Sequence, residues 1–146
     1  MNRIKRVTRW HKILKLALIA GFVLPVSAQS AKLESLTASG KGHGKISSAV
    51  DEREITSALI FLRGNGTFLL ALTADIQLQA EGTWKASTSS PGEILLKITG
   101  GVLKGEMSGS GKLFLTSDRT IKKLTADVKT VDGREIAVTF VADASE

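Results

Sequence analysis

The sequence predicts an all-β domain of about eight antiparallel strands in a meander. The strands are expected to close, or nearly close, into a small barrel behind an N-terminal signal peptide; a two-sheet sandwich is the alternative. Three observations carry this reading. Apolar and polar residues alternate with period two through most of the chain after residue 28. Gly, Asn, Asp, Ser and Pro cluster between the alternating runs. Residues 1–28 have the three-part organisation of a secretory leader.

The leader comes first. Arg3, Lys5, Arg6, Arg9, Lys12 and Lys15 form a basic region without an acid, followed by the 11-residue apolar run 16–26. Val26 and Ala28 then stand at the −3 and −1 positions of a cleavage site before Gln29. The apolar run is too short for a membrane span of about 20 residues. The expected mature domain is therefore 29–146, one domain by length, exported to a periplasm or to the outside of the cell. Removing 1–28 takes six of the 20 basic residues and none of the 14 acidic ones, leaving 14 of each. The calculated pI of 9.8 thus belongs to the leader and gives no support for nucleic-acid binding.

The expected strands are 33–47, 54–63, 67–73, 76–88, 93–99, 102–116, 120–130 and 134–142. In the first, Leu36, Ala38, Gly40, Gly42, Gly44 and Ile46 share one face against Lys41, His43 and Lys45. Ile76, Leu78, Ala80, Gly82, Trp84 and Ala86 do the same in the fourth, and Leu103 to Leu115 by odd numbers in the sixth. Gly64-Asn65-Gly66 and Asp132-Gly133 supply the positive φ that hairpin turns need. Ser89-Ser90-Pro91-Gly92 and Gly100-Gly101 read as two further turns. The inward glycines are expected to let strands bend or a large side chain cross, with Trp84 the obvious one to cross. A shift of 67 residues places Gly42, Gly44, Lys45, Asp51 and Gly66 on Gly109, Gly111, Lys112, Asp118 and Gly133. This suggests a duplication relating 40–73 to 107–140, and with it a pseudo-two-fold pair of four-stranded units.

Little in the residue inventory points to catalysis. The chain has no cysteine, so it has no disulfide, thiolate nucleophile or Cys-ligated metal. After the leader, His43 is the one histidine, read as a solvated residue between Lys41 and Lys45. No Gly-x-Ser-x-Gly elbow is present. Asp51, Glu52 and Glu54 enclose Arg53 and read as a solvated turn, because calcium requires a shaped loop of six to eight oxygens. The expectation is a domain without catalytic residues, metal or cofactor.

The informative feature is an asymmetry between hairpins. In 120–142, Leu124, Ala126, Val128, Ile136, Val138 and Phe140 face one way and charged residues the other. The 54–73 hairpin is apolar on both faces, and only one can line a core. Taking the face from the duplication register leaves Ile60, Leu62, Phe68, Leu70 and Leu72 outside. These five, with Trp84, are the expected ligand or partner surface. The expected function is a protein–protein or self-association contact through this hairpin. The alternative is a carrier of a small apolar ligand inside the barrel.

Overall fold

A computed structural model describes residues 34–101 and 106–144. The expected leader, its cleavage site, and Leu103 and Gly105 of the expected sixth strand lie outside the described residues. Eight strands follow in chain order: β1 Leu36–Ser48, β2 Glu52–Leu62, β3 Thr67–Thr73 and β4 Gln77–Ala86, then β5 Glu93–Gly101, β6 Met107–Leu115, β7 Ile121–Thr130 and β8 Glu135–Ala142. Each pairs antiparallel with the next, and β1 also pairs with β8, so the sheet is a closed barrel and not a sandwich. Closure gives every strand two neighbours and leaves no free edge. The interior is filled by side chains, among them the fully buried Ile55, Ile60, Leu62, Phe68, Leu113, Leu124 and Phe140.

The turns alternate between two ends of the barrel, here called the near and far ends. The near end carries the β2–β3, β4–β5 and β6–β7 connections; the far end carries β1–β2, β3–β4, β5–β6 and β7–β8. Three of the connections are three-residue loops of one kind. Arg63 N–H donates to Thr67 O at 2.8 Å, Thr116 N–H to Thr120 O at 2.9 Å and Thr130 N–H to Arg134 O at 2.9 Å. In each, the last loop residue is left-handed: Gly66 (φ 82°), Arg119 (φ 62°) and Gly133 (φ 85°). Gly92 (φ 76°) closes the Ser-Pro-Gly turn.

Two expectations need correction. Gly100 and Gly101 are not a turn: β5 runs through them, and they pair with Glu81 and Ala80. The register shift between Glu81 and Gly82 makes room for this extension. The large side chain that crosses a glycine is Phe68 and not Trp84. A Cβ at Gly82 would lie 3.0 Å from Phe68 Cε1 and would also run into the Lys97 carbonyl oxygen. The first-strand glycines answer a different demand, the approach of a neighbouring backbone. A Cβ at Gly44 would lie 2.8 Å from the Phe140 Cα on β8.

The duplication aligns strands but not four-stranded units. The 67-residue shift carries β1 onto β6, β2 onto β7 and β3 onto β8, leaving β4 and β5 outside the match. A shift of five strands has no place in a pseudo-two-fold pair of four-stranded halves.

Two stability outcomes follow. Gly82→Ala is expected to destabilise the barrel by about 1–3 kcal/mol in urea unfolding, since the added methyl overpacks a closed wall. Arg119→Gly is expected to stabilise it by up to about 1 kcal/mol, by relieving a left-handed non-glycine residue.

Candidate functional site

The two faces of the β2–β3 hairpin have opposite fates. Phe61 stands opposite Leu69 and Leu59 opposite Ala71; on the other face, Leu62 stands opposite Phe68, Ile60 opposite Leu70 and Ala58 opposite Leu72. The second set is the one that lines the core, where Ile60, Leu62, Phe68, Leu70 and Leu72 are all buried. The expected outer surface is therefore wrong by one residue of register. The outer face carries Leu59, Phe61, Leu69 and Ala71, with Phe61 38% exposed and the other three half-buried.

The reversal has a geometric cause. The β2–β3 and β7–β8 turns share their hydrogen bonds and their left-handed glycine, so 67-residue matching of the loops is sound. However, the copies lie an odd number of strands apart, and successive hairpins of a meander point to opposite ends. The same turn, placed at the near end for β2–β3 and at the far end for β7–β8, presents opposite faces to the interior. Accordingly Val128 and Ile136, one pair further from the β7–β8 loop than Lys129 and Glu135, point inward. In β2–β3 the pair next to the loop, Leu62 and Phe68, points inward instead.

Trp84 also changes role. It is half-buried on the interior side of β4 and packs against the core. Its indole Nε1–H donates to Arg63 O at 2.9 Å, and its backbone N–H donates to Gly66 O at 2.8 Å. Ser35 Oγ accepts from Gly64 N–H at 2.9 Å, and Asn65 Oδ1 accepts from the Thr67 hydroxyl at 2.7 Å. Trp84 thus fixes the turn that orients the outer face, without belonging to that face.

Above Phe61 and Leu69 runs an open groove of about 380 Å³, lined by Leu36, Thr37, Phe61, Arg63 and Leu69 among others. Its surroundings on β4 are charged: Leu69 stands opposite Glu81, and Lys85 lies further along the strand. An apolar centre with a charged margin is the anatomy of a protein contact surface. By contrast, the outer face of β7 and β8 presents Lys123, Asp127, Lys129 and Glu135 to solvent, with Val141 as its one exposed large apolar residue among the described residues.

The titratable residues are superficial. The His43 side chain is 91% exposed, with Asp143 Oδ1 3.6 Å from its Nε2. Arg53 bridges Asp51 at 2.9 Å and Asp75 at 2.7 Å, tying the β1–β2 turn to the β3–β4 turn. The sequence placed Asp51 and Arg53 in one turn; Asp75, 22 residues from Arg53, is joined to them only by the fold. Among the described residues no group of three or more His, Cys, Asp or Glu side chains is placed to hold a metal ion. In the β7–β8 turn, Arg134 Nε donates to Asp132 Oδ2 at 2.7 Å and the Thr130 hydroxyl donates to Asp132 Oδ1. These bonds, that of Arg134 foremost, lower the Asp132 carboxyl to about 2. No helix among the described residues is long and apolar enough to cross a membrane. No family model, curated protein or solved structure matches this chain.

Two measurements check this geometry. Trp84→Phe keeps most of the packing and loses the bond to Arg63 O, an expected cost of about 1 kcal/mol in chemical unfolding. Carboxyl NMR should titrate Asp132 near pH 2. Because folding lowers this pKa, its contribution to stability is present above the ordinary carboxylate range and lost as pH falls through about 2. Arg134→Gln should return the midpoint toward the ordinary value.

Proposed function

We propose that this chain is an exported, non-catalytic β-barrel domain that acts by protein–protein contact through the outer face of β2–β3. Its first partner is a second copy of itself. The observation that carries the reading is the apolar outer set Leu59, Phe61, Leu69 and Ala71, directly paired across two strands beside the Phe61 groove. The interior already has its own complement from the opposite face of the same hairpin, so packing the barrel does not call for these side chains. Association by strand addition has no free edge to use in a closed sheet, which leaves side-chain contact as the available mode. With 14 basic and 14 acidic residues after position 28, the expected mature chain carries no net charge to keep copies apart. Support for a non-catalytic role comes from the charged side chains, several of which pair with one another on the surface. The alternative of a ligand carried at the centre of the barrel fits less well, because Phe68, Leu113, Leu124 and Phe140 occupy that space.

Sedimentation velocity tests the proposal. The protein is expected to associate with rising concentration, and Phe61→Ser with Leu69→Ser to weaken that association at least about tenfold, a change of roughly 1.4 kcal/mol. The circular dichroism spectrum of that variant should not change. Ile60→Asn, one residue away but inside the barrel, should unfold the chain. A wild-type protein that stays monomeric over the whole accessible range would overturn the proposal.

A further inference from the structure

Asn65 is the one asparagine after position 28, and it precedes the left-handed Gly66 in the β2–β3 turn. An Asn-Gly peptide can react with itself, because the glycine nitrogen lies within reach of the preceding side-chain amide carbon and no Cβ on the glycine obstructs it. The turn supplies three further conditions. The first is access. Asn65 is exposed, and a Cβ built on Gly66 would meet only the Trp84 carbonyl oxygen, at 4.0 Å. The second is the posture of the carboxamide. Asn65 Oδ1 accepts from Thr67 N–H at 3.1 Å and from the Thr67 hydroxyl at 2.7 Å. A bond to the amide two residues on folds the side chain back over the Gly66 peptide between them. Both donors converge on the oxygen that gains negative charge when Cγ is attacked, as in an oxyanion hole. The third concerns the nucleophile. Gly66 N–H donates to Arg63 O at 3.0 Å and must leave that bond to react, but Arg63 O also accepts from Trp84 Nε1–H at 2.9 Å. Releasing Gly66 leaves this acceptor satisfied, which lowers the cost of the opening.

We infer that Asn65 is a site of self-modification: in the folded protein it converts, through a cyclic imide with Gly66, into aspartate and isoaspartate. Hydroxide removes the Gly66 N–H proton, and the nitrogen forms a bond to Asn65 Cγ. The Cγ–Nδ2 bond breaks, Nδ2 takes a proton from water, and ammonia leaves. Among the described residues Nδ2 makes no hydrogen bond, so its departure breaks none. Water then opens the imide at either carbonyl. Breaking the bond to Cγ leaves aspartate; breaking the main-chain bond leaves isoaspartate, whose chain runs on through Cβ and Cγ. Nothing is oxidised or reduced. Isoaspartate lengthens the loop backbone by one carbon inside the Arg63–Thr67 closure, beside the carbonyl that holds Trp84. The reaction therefore loosens the turn at its anchor. The inference goes beyond the outer face of β2–β3 and does not require association.

The full chain, held in mildly alkaline buffer with circular dichroism following the fold, tests it by peptide mass mapping and labelling with isoaspartyl methyltransferase. The peptide containing Asn65 is expected to gain the mass difference between an amide and an acid and to take up methyl label. Both should form faster as pH rises, because the Gly66 nitrogen must give up its proton. Asn65→Gln should show neither over the same period, since its longer side chain closes a larger ring more slowly. Thr67→Val, which removes the hydroxyl and keeps the shape, should slow the reaction at least about threefold. Thr67→Ser should keep the wild-type rate. A variant that only loosened the turn would react faster, so the direction of the change separates the hydroxyl's chemical part from a structural one. An Asn65 that stays an amide, a peptide that takes up no label, or a Thr67→Val chain that reacts as fast as the wild type or faster would each overturn the inference.

Discussion

A β-sheet closed on itself has one interior, and every strand must send alternate side chains into it while its backbone pairs on both sides. In this chain the constraint falls hardest on β1, which pairs with β2 through Ser47 and with β8 from Gly42 onward. Two of its inward positions are glycines, Gly42 and Gly44; at Gly44 the backbone of β8 takes the place of a side chain, while Ile46, one inward position further on, keeps its side chain in the core. The register shift between Lys41 and Gly44 lets Ala58 and Ile55 of β2 both reach the core, although they are three residues apart. Relaxing the closure would expose two sheet edges and leave those glycines without a purpose.

Closure also governs the surface. A meander barrel sends successive hairpins to opposite ends, so a given loop geometry shows one face to the core at the near end and the other at the far end. The two hairpins of the apparent duplication share their loop geometry and turn opposite faces to the core. That single inversion turns Ile60, Leu62, Phe68, Leu70 and Leu72 inward and leaves Leu59, Phe61, Leu69 and Ala71 on the surface. The apolar excess of the hairpin is a property of its composition, whereas its location is a property of ring position.

The barrel is polarised along its axis as well as around its wall. At the near end, side-chain hydrogen bonds fix the loops: Trp84 to Arg63 O, Ser35 from Gly64 and Thr116 with Thr120. At the far end, ion pairs through Arg53 and Arg134 fix turns whose tips are aliphatic. Among the described turns, those of one end are tied by side-chain hydrogen bonds and three of the other end carry the exposed Val50, Ile76 and Val131.

The sequence by itself determined the all-β class, the number of strands and most of the turns. Period-two alternation and left-handed turn residues are local properties, and the limits of β3 were legible to the residue. It also determined that the β2–β3 hairpin carries more apolar residues than one face of a core can use. Only the tertiary structure decided which face that would be, because the answer depends on the parity of strand position around a closed ring. Gly100 and Gly101 were misread for a related reason: a glycine pair looks the same in a turn and in a strand that must pass close to its neighbour. That the exposed Val50, Ile76 and Val131 share one end was likewise hidden, since each is an unremarkable turn residue until the meander sends alternate turns to the same end.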